Sequence, residues 1–204
     1  VEDVSAVLHR VRNEYDQIAL LGYSLGGNVV LKAAAELPKK SLKGVLAAVG
    51  VSVPCDLAGA ATEISKPKNF IYNRRFLKRL KKKMNEKALE FRKVRELLPA
   101  IEALKDITSF DELYTAPFHG FHSASDYYQK ASSGSTLHLS QCPALLLNAK
   151  DDPFLSTSCF PQVNTPLVQT CFPEYGGHVG FYRKSDWLFP TILEYLQNIR
   201  SQTR

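Results

Sequence analysis

The chain contains few cysteines and no long apolar run. Four cysteines occur among its 204 residues, and no Cys-x-x-Cys or Cys/His spacing joins them, which excludes a disulfide framework and a zinc site. His119 and His122 have no Cys or carboxylate at ligand spacing. The longest apolar run, residues 44–53, is shorter than the ~18 residues of a membrane span. We therefore predict reduced, partly buried thiols, no metal and no membrane-spanning helix.

The composition excludes a disordered chain. Apolar residues make up 45% and charged residues 23% of the sequence, close to the average of globular proteins. The length suits one domain of ordinary size with insertions. The sequence begins without an initiator Met or a secretory leader, so we expect a piece whose beginning is missing. Its localisation, cytoplasmic or membrane-associated through a missing N-terminal segment, is left open.

The net charge of +6 is concentrated in one segment. Residues 66–95 contain 13 Lys or Arg and two Glu, a local charge of +11, and the remaining 13 basic and 18 acidic residues leave −5 for the rest. Apolar residues recur at helical spacing within it, at positions 77, 80, 84, 88 and 91. We predict a basic amphipathic helix around residues 74–83. Its basic face either is solvated or contacts an anionic membrane or substrate; nucleic acid is not expected, because interleaved aromatic residues are lacking.

Strand and helix patterns alternate along the chain. Short apolar runs predict strands buried on both faces of a parallel sheet, over residues 17–23, 44–53, 144–148 and 167–172. Helical patterns cover residues 1–12, 27–37 and 185–200. This order predicts an α/β fold. Residues 55–141 are too many for a simple crossover, and we interpret them as a helical cap inserted into a single domain that covers residues 1–204.

The strongest local motif is Gly22-Tyr23-Ser24-Leu25-Gly26, placed between a predicted strand and a predicted helix. This is the context of a nucleophile elbow, a strained turn that directs the Ser24 hydroxyl out of the sheet. We expect both flanking glycines to be required, because a side chain there would collide with the neighbouring strand and helix. The backbone N–H of Leu25 and the positive end of the helix would stabilise an oxyanion.

A nucleophilic serine needs a base that is oriented by an acid, and in this type of fold they follow in the order Ser, acid, His. Asp151 and Asp152 follow the third predicted strand, and His178 follows the fourth in a glycine-rich loop. All these groups fall at carboxyl ends of strands, where an α/β sheet gathers its site. From the order alone, either aspartate can be the acid.

Together these motifs resemble those of the YheT-like α/β-hydrolases, a family of bacterial esterase-like proteins and related animal and plant α/β-hydrolase-domain proteins. The resemblance runs through most of the chain and is carried by the segments 22–28, 110–111, 114–117, 119–121, 126–128, 147–154 and 176–181. It implies an α/β-hydrolase fold with Ser24 as nucleophile, Asp152 as acid and His178 as general base. Asp-Pro-Phe at 152–154 is similar to the acid loop of such enzymes, so Asp151 is expected to brace the loop.

The sequence departs from the family pattern in the region before Ser24. In α/β-hydrolases the nucleophile follows the fifth strand, whereas a single predicted strand precedes Ser24. The first strands, and a loop with the second oxyanion N–H, are therefore expected to be missing, which predicts weak or no activity for this chain alone. The segment 119–128 matches a family signature for which we expect a bracing role.

The leading hypothesis is a serine hydrolase that cleaves acyl esters, with lipid or phospholipid esters as possible substrates implied by the family. No cofactor is implied. Three alternatives stay open: a non-catalytic protein of the same fold that binds a lipid or a partner, an inactive truncated form, and an acyltransferase with the same three side chains.

Overall fold

The computed structural model describes residues 1–181 and 187–202. The chain divides into two compact units. The sheet unit consists of residues 1–56 together with the residues from 132 onward, and the helical unit consists of residues 57–131. Each unit has an apolar core of its own.

The sheet unit is built on four parallel strands that lie in the order β1-β2-β3-β4. Their bounds are β1 Ile18–Tyr23, β2 Val45–Val51, β3 Ala144–Leu147 and β4 Val168–Cys171. The last residues of the strands are level, since Tyr23 pairs with Val51, Val51 with Leu147 and Leu147 with Cys171. The loops after the strands therefore start at one edge of the sheet. The predicted α/β class is confirmed.

Helices occupy both units. Their bounds are α1 Glu2–Val11, α2 Leu25–Glu36, α3 Leu57–Ser65, α4 Phe70–Lys87, α5 Arg92–Ala103, α6 Ile107–Phe110, α7 Ala116–Phe118, α8 Ala124–Ala131 and α9 Leu188–Gln202. A single π-helical turn, Asp111–Thr115, joins α6 to α7. None of the helices within residues 1–181 and 187–202 is long and apolar enough to cross a membrane.

The core of the sheet unit has one apolar layer on each face of the sheet. On one face Ala48 and Leu146 pack with Leu8 and Leu31 of α1 and α2. On the other face Val49 and Leu145 pack with residues of α9 such as Ile192. Strands covered on both faces account for the nearly continuous apolar runs of the sequence.

Several predicted helix bounds differ from the structure: α1 covers Glu2–Val11 and not residues 1–12, and α2 ends at Glu36 and not at residue 37. Helix α2 begins at Leu25, two residues before the predicted start, because Gly26 and Gly27 lie inside its first turn. The predicted start of the last helix at residue 185 lies outside the described residues, and α9 runs from Leu188 to Gln202.

The helical unit encloses the apolar face of the basic segment. Leu77 and Met84 of α4 are buried against residues of α5 and α6, such as Ile101 and Phe110. The prediction that residue 91 shares this face is wrong, because α4 ends at Lys87 and Phe91 is 55% exposed. Residues 132–141, which the predicted cap of 55–141 includes, belong to the sheet unit. The role of a cap stays a prediction.

The family-like segment 119–128 is held to the π-helical turn by partly buried polar contacts. The Tyr128 hydroxyl donates a hydrogen bond to Asp111 Oδ2 at 2.7 Å, and the backbone N–H of Ala124 donates to Glu112 Oε2 at 2.7 Å. Burial raises the pKa of Asp111, against the effect of hydrogen bonds from Thr115 and Tyr128. These contacts fit the predicted bracing role.

The turn from β1 to α2 depends on two glycines, only one of which was predicted correctly. A Cβ atom on Gly22 would lie 2.2 Å from the carbonyl oxygen of Gly26. A Cβ on Gly26 itself would meet no atom within 4 Å. A Cβ on Gly27 would lie 2.6 Å from Val53 Cγ2. The close approach of helix to strand therefore requires Gly22 and Gly27, and the expectation for Gly26 is wrong.

Alanine substitutions should show which of these glycines the turn requires. We expect Gly22→Ala to lower the free energy of unfolding by about 2 kcal/mol or more, because backbone must move to accept the methyl group. Gly26→Ala should leave it unchanged or raise it by up to about 1 kcal/mol, because alanine is the better helix former. Urea unfolding monitored by circular dichroism measures both. Equal destabilisation by the two variants would contradict the steric argument.

The Tyr128–Asp111 contact should make stability pH-dependent. Tyr128→Phe removes a donor to the Asp111 carboxylate and should cost about 2 kcal/mol at neutral pH. Because the folded-state pKa of Asp111 is raised, the charged carboxylate lowers the stability of the folded protein above that pKa. This loss of stability disappears as the pH falls and the carboxylate becomes protonated. The deficit should therefore be smaller at an acidic pH, at which Asp111 is protonated, than at neutral pH. Tyr127→Phe is the matched control in urea unfolding; equal deficits for both variants at both pH values would refute the prediction.

Candidate active site

Ser24 lies in a strained turn between β1 and α2. Its backbone has φ +52° and ψ −126°, a region that is costly for a residue with a side chain. Its N–H donates to the carbonyl of Val51 at 2.8 Å, and its carbonyl accepts from Asn28 N–H at 3.2 Å. These bonds continue the strand on one side and start the helix on the other, so the serine is held in the left-handed region.

Asp152 lies in the loop after β3, and its side chain is fully buried. Its Oδ1 accepts a hydrogen bond from the backbone N–H of Phe154 at 2.9 Å. Its Oδ2 lies 2.8 Å from Nδ1 of His178. With one oxygen fixed by the backbone, the other is held in position against the imidazole.

His178 joins the two previous residues. Its Nε2 lies 3.0 Å from Oγ of Ser24, and the ring of Phe154 packs edge-on at 4.7 Å between centroids. A neutral imidazole that donates from Nδ1 to the carboxylate presents an acceptor at Nε2 to the serine hydroxyl. In this arrangement the serine proton has a base in direct contact.

The other predicted acid, Asp151, contacts the histidine loop instead of the histidine. Its Oδ1 accepts hydrogen bonds from the N–H groups of Gly176 and Gly177, both at 2.8 Å. Gly177 has φ +57°, and a Cβ on Gly176 would lie 2.5 Å from the ring of Phe181. The turn before His178 is therefore tight, and Asp151 anchors it.

Sequence reasoning assigned no role to Asn148, which the structure places beneath these loops. Asn148 is completely buried, and its Oδ1 accepts from Val53 N–H at 2.6 Å. Its Nδ2 donates to the carbonyls of Val53 at 3.0 Å and Cys159 at 2.8 Å. It thus ties the segment after β2 to the loop that carries Asp152. A polar residue directly after a run of buried leucines was the signal that could have identified it.

Leu25 is the first residue of α2, directly after Ser24. The first N–H groups of a helix have no partner within the helix, and they lie at the positive end of its dipole. The Leu25 N–H can therefore stabilise negative charge that develops beside the serine. Within the described part of the chain, no cluster of three or more His, Cys, Asp or Glu residues that could hold a metal ion was found.

Comparison with known proteins shows what the whole chain is similar to. The chain is 34% identical to "Putative esterase YheT" of Escherichia coli (strain K12) over 189 residues, 88% of this chain and 54% of that protein. It is 28% identical to "Phospholipase ABHD3" of Mus musculus over 210 residues, 98% of this chain and 49% of the relative. Among solved structures, an esterase of Pyrococcus furiosus aligns with 97% of this chain and 60% of its own, at a TM-score of 0.48 and 15% identity.

No family model matches the chain. The chain spans about half the length of the curated relatives it matches. The similarity to YheT extends over most of this chain, and the structure has a parallel α/β sheet with the motif segments at the ends of its strands. On this evidence the resemblance to the YheT-like family of α/β-hydrolases is confirmed over most of the chain.

Proposed function

We propose that this protein hydrolyses carboxylic esters, with Ser24 as nucleophile, His178 as general base and acid, and Asp152 as the orienting acid. The single observation that carries the proposal is the continuous chain of hydrogen-bond contacts from Asp152 Oδ2 through His178 to Ser24 Oγ, at 2.8 and 3.0 Å. The names of the relatives, an esterase and a phospholipase, support ester hydrolysis independently of this geometry.

In the proposed reaction Ser24 Oγ attacks the acyl carbonyl carbon while His178 Nε2 takes the hydroxyl proton. The carbonyl oxygen becomes an oxyanion, stabilised by the N–H of Leu25 and the N-terminus of α2. His178 then gives the proton to the leaving alkoxide, and an acyl-serine ester remains. Water attacks this ester with the same proton transfers and releases the carboxylic acid and free Ser24.

The surroundings of each group suit its proposed role. The Asp152 side chain is sealed from water and hydrogen-bonded on both oxygens, which favours the imidazolium that forms in the transition state. Phe154 covers one side of the imidazole, and Asp151 fixes the loop from which it projects. Little reorganisation is needed when charge develops, which is the main source of catalysis in such sites.

For the substrate class we infer acyl esters of lipids. The relative named a phospholipase matches nearly the whole of this chain. Its name supports a lipid substrate, and we take the acyl ester bond of a lipid as the bond cleaved. The transfer of the acyl group to water, as opposed to another alcohol, is tested by product analysis.

Labelling with a fluorophosphonate probe tests whether Ser24 is activated. We expect the wild-type protein to be labelled and Ser24→Ala to lose labelling completely, because the probe reacts with a serine whose proton has a base. Ser135→Ala, which changes an exposed serine away from the strand ends, should label like the wild type. Absence of labelling in the wild type would favour a non-catalytic protein or an inactive truncated form, and persistent labelling of Ser24→Ala would exclude Ser24 as the nucleophile.

A second pair of variants distinguishes the two aspartates. Asp152→Asn should lower kcat on a p-nitrophenyl acyl ester by ~10³–10⁴, because an amide no longer holds the productive tautomer of His178. Asp151→Asn should lower kcat less than about tenfold, since the amide oxygen still accepts the two glycine N–H bonds. Equal losses of kcat in two variants that have the same thermal stability would contradict the proposed division of roles.

A further inference from the structure

The outward face of α4 carries charge that the packing of the helical unit does not use. Ile71, Arg75, Lys78 and Lys82 follow each other at the spacing of one helical face, and all four are exposed. The opposite face, represented by Leu77, provides the contacts to the core. We call residues 71, 75, 78 and 82, with the exposed cations beside them, the basic face.

Most cations of the basic face have no acidic partner. Arg74, Arg75, Lys78, Arg79 and Lys83 are exposed, and no carboxylate among the described residues lies within ion-pair distance of them. Lys82 has a single distant contact, 3.9 Å from Glu86. Side chains of one charge sign at this density repel each other unless an anionic partner is present.

Exposed apolar side chains stand at both ends of the same helix. Phe70, Ile71 and Tyr72 in its first turn are 62%, 76% and 47% exposed. Leu89 and Phe91, just after its last turn, are 79% and 55% exposed. The 18-residue helix between these two apolar groups is about 27 Å long. Clustered exposed apolar residues beside cations are typical of surfaces that lie on a membrane.

A cationic groove runs beside the basic face. It has a volume of about 700 Å³ and lies between α4 and the end of α5. Its cationic lining residues are Arg74, Lys78, Lys81, Lys82 and Lys105. The carboxylate that also lines it, Glu102, accepts a hydrogen bond from Asn85 at 2.8 Å. The groove is suited to a phosphate-bearing headgroup, for which Lys and Arg are the usual ligands.

We propose that the basic face docks the protein on the surface of an anionic phospholipid bilayer. Arg75, Lys78 and Lys82 contact the headgroups, while Phe70 and Ile71 insert at the boundary of headgroups and acyl chains. Nucleic acid would satisfy the cations but would not cover the exposed side chains of Phe70 and Ile71. The docking does not rest on the proposed hydrolysis, because residues 57–131 include none of Ser24, Asp152 and His178.

Vesicle sedimentation tests the proposal directly. The protein should bind vesicles of phosphatidylcholine mixed with phosphatidylserine, and bind phosphatidylcholine alone at least tenfold more weakly, because each cation near an anionic surface contributes to binding. The combined variant Arg75→Glu, Lys78→Glu and Lys82→Glu should lose at least tenfold in affinity. Its matched control is Lys39→Glu, Lys40→Glu and Lys43→Glu, which reverses three exposed cations of the sheet unit and should bind like the wild type.

A second comparison tests the apolar contribution. Ile71→Ser should weaken binding severalfold without altering its dependence on salt, because it removes insertion and leaves the charges in place. Val7→Ser, at another exposed apolar position, should have no effect. Equal loss in both charge variants, equal binding to neutral and anionic vesicles, or binding to duplex DNA without binding to vesicles would each overturn the proposal. Fluorophosphonate labelling of Ser24 reports the catalytic proposal separately.

Discussion

The parallel register of the four strands is the constraint on which the candidate site depends. Three hydrogen bonds continue the ladder one residue past the strands: Ser24 N–H to Val51, Ser52 N–H to Leu147, and Asn148 N–H to Cys171. They bring the loops after β1, β3 and β4 to the same edge of the sheet. Ser24 and His178 are 154 positions apart in the sequence and in hydrogen-bond contact in the structure. A slip of one residue would turn the side chains to the other face.

Around this edge, some polar residues contact the side chains of the proposed reaction, and others bind backbone groups. Asp152 contacts the imidazole, whereas the adjacent Asp151 binds two glycine N–H groups in the loop that carries it. Asn148 satisfies three backbone groups and thereby fixes the loop that carries Asp152. Because these residues are hydrogen-bonded, their polar atoms carry little of the desolvation cost of unpaired groups. The precision of the site thus comes from neighbours that have no chemical role of their own.

In the helical unit, apolar packing on the inside contrasts with exposed positive charge on the outside. Its apolar side chains form two clusters, and its partly buried carboxylate Asp111 accepts a hydrogen bond from Tyr128. Arg74, Arg75, Lys78, Arg79 and Lys83 are exposed on α4, and no carboxylate among the described residues pairs with them, whereas Lys81 donates hydrogen bonds to the carbonyls of Glu102 and Leu104. Cations of one sign on a single helix face do not stabilise a fold. This contrast between a packed inner face and an unpaired outer face is the physical basis of the membrane surface proposed above.

Features that depend on neighbouring residues along the chain could be predicted from the sequence. Apolar runs predicted the strands, helical spacing predicted the buried face of α4 at Leu77 and Met84, and the glycine-flanked Ser24 predicted the strained turn. Contacts between distant segments decided the rest. Which aspartate meets His178, why Gly27 and not Gly26 is required, and what Asn148 holds together all depend on backbone brought close by the sheet. The helix also stops before Phe91, which spacing alone did not show. The spacing of residues along the chain shows the periodicity of helices and strands. The distances between distant segments are defined only after the strands have paired.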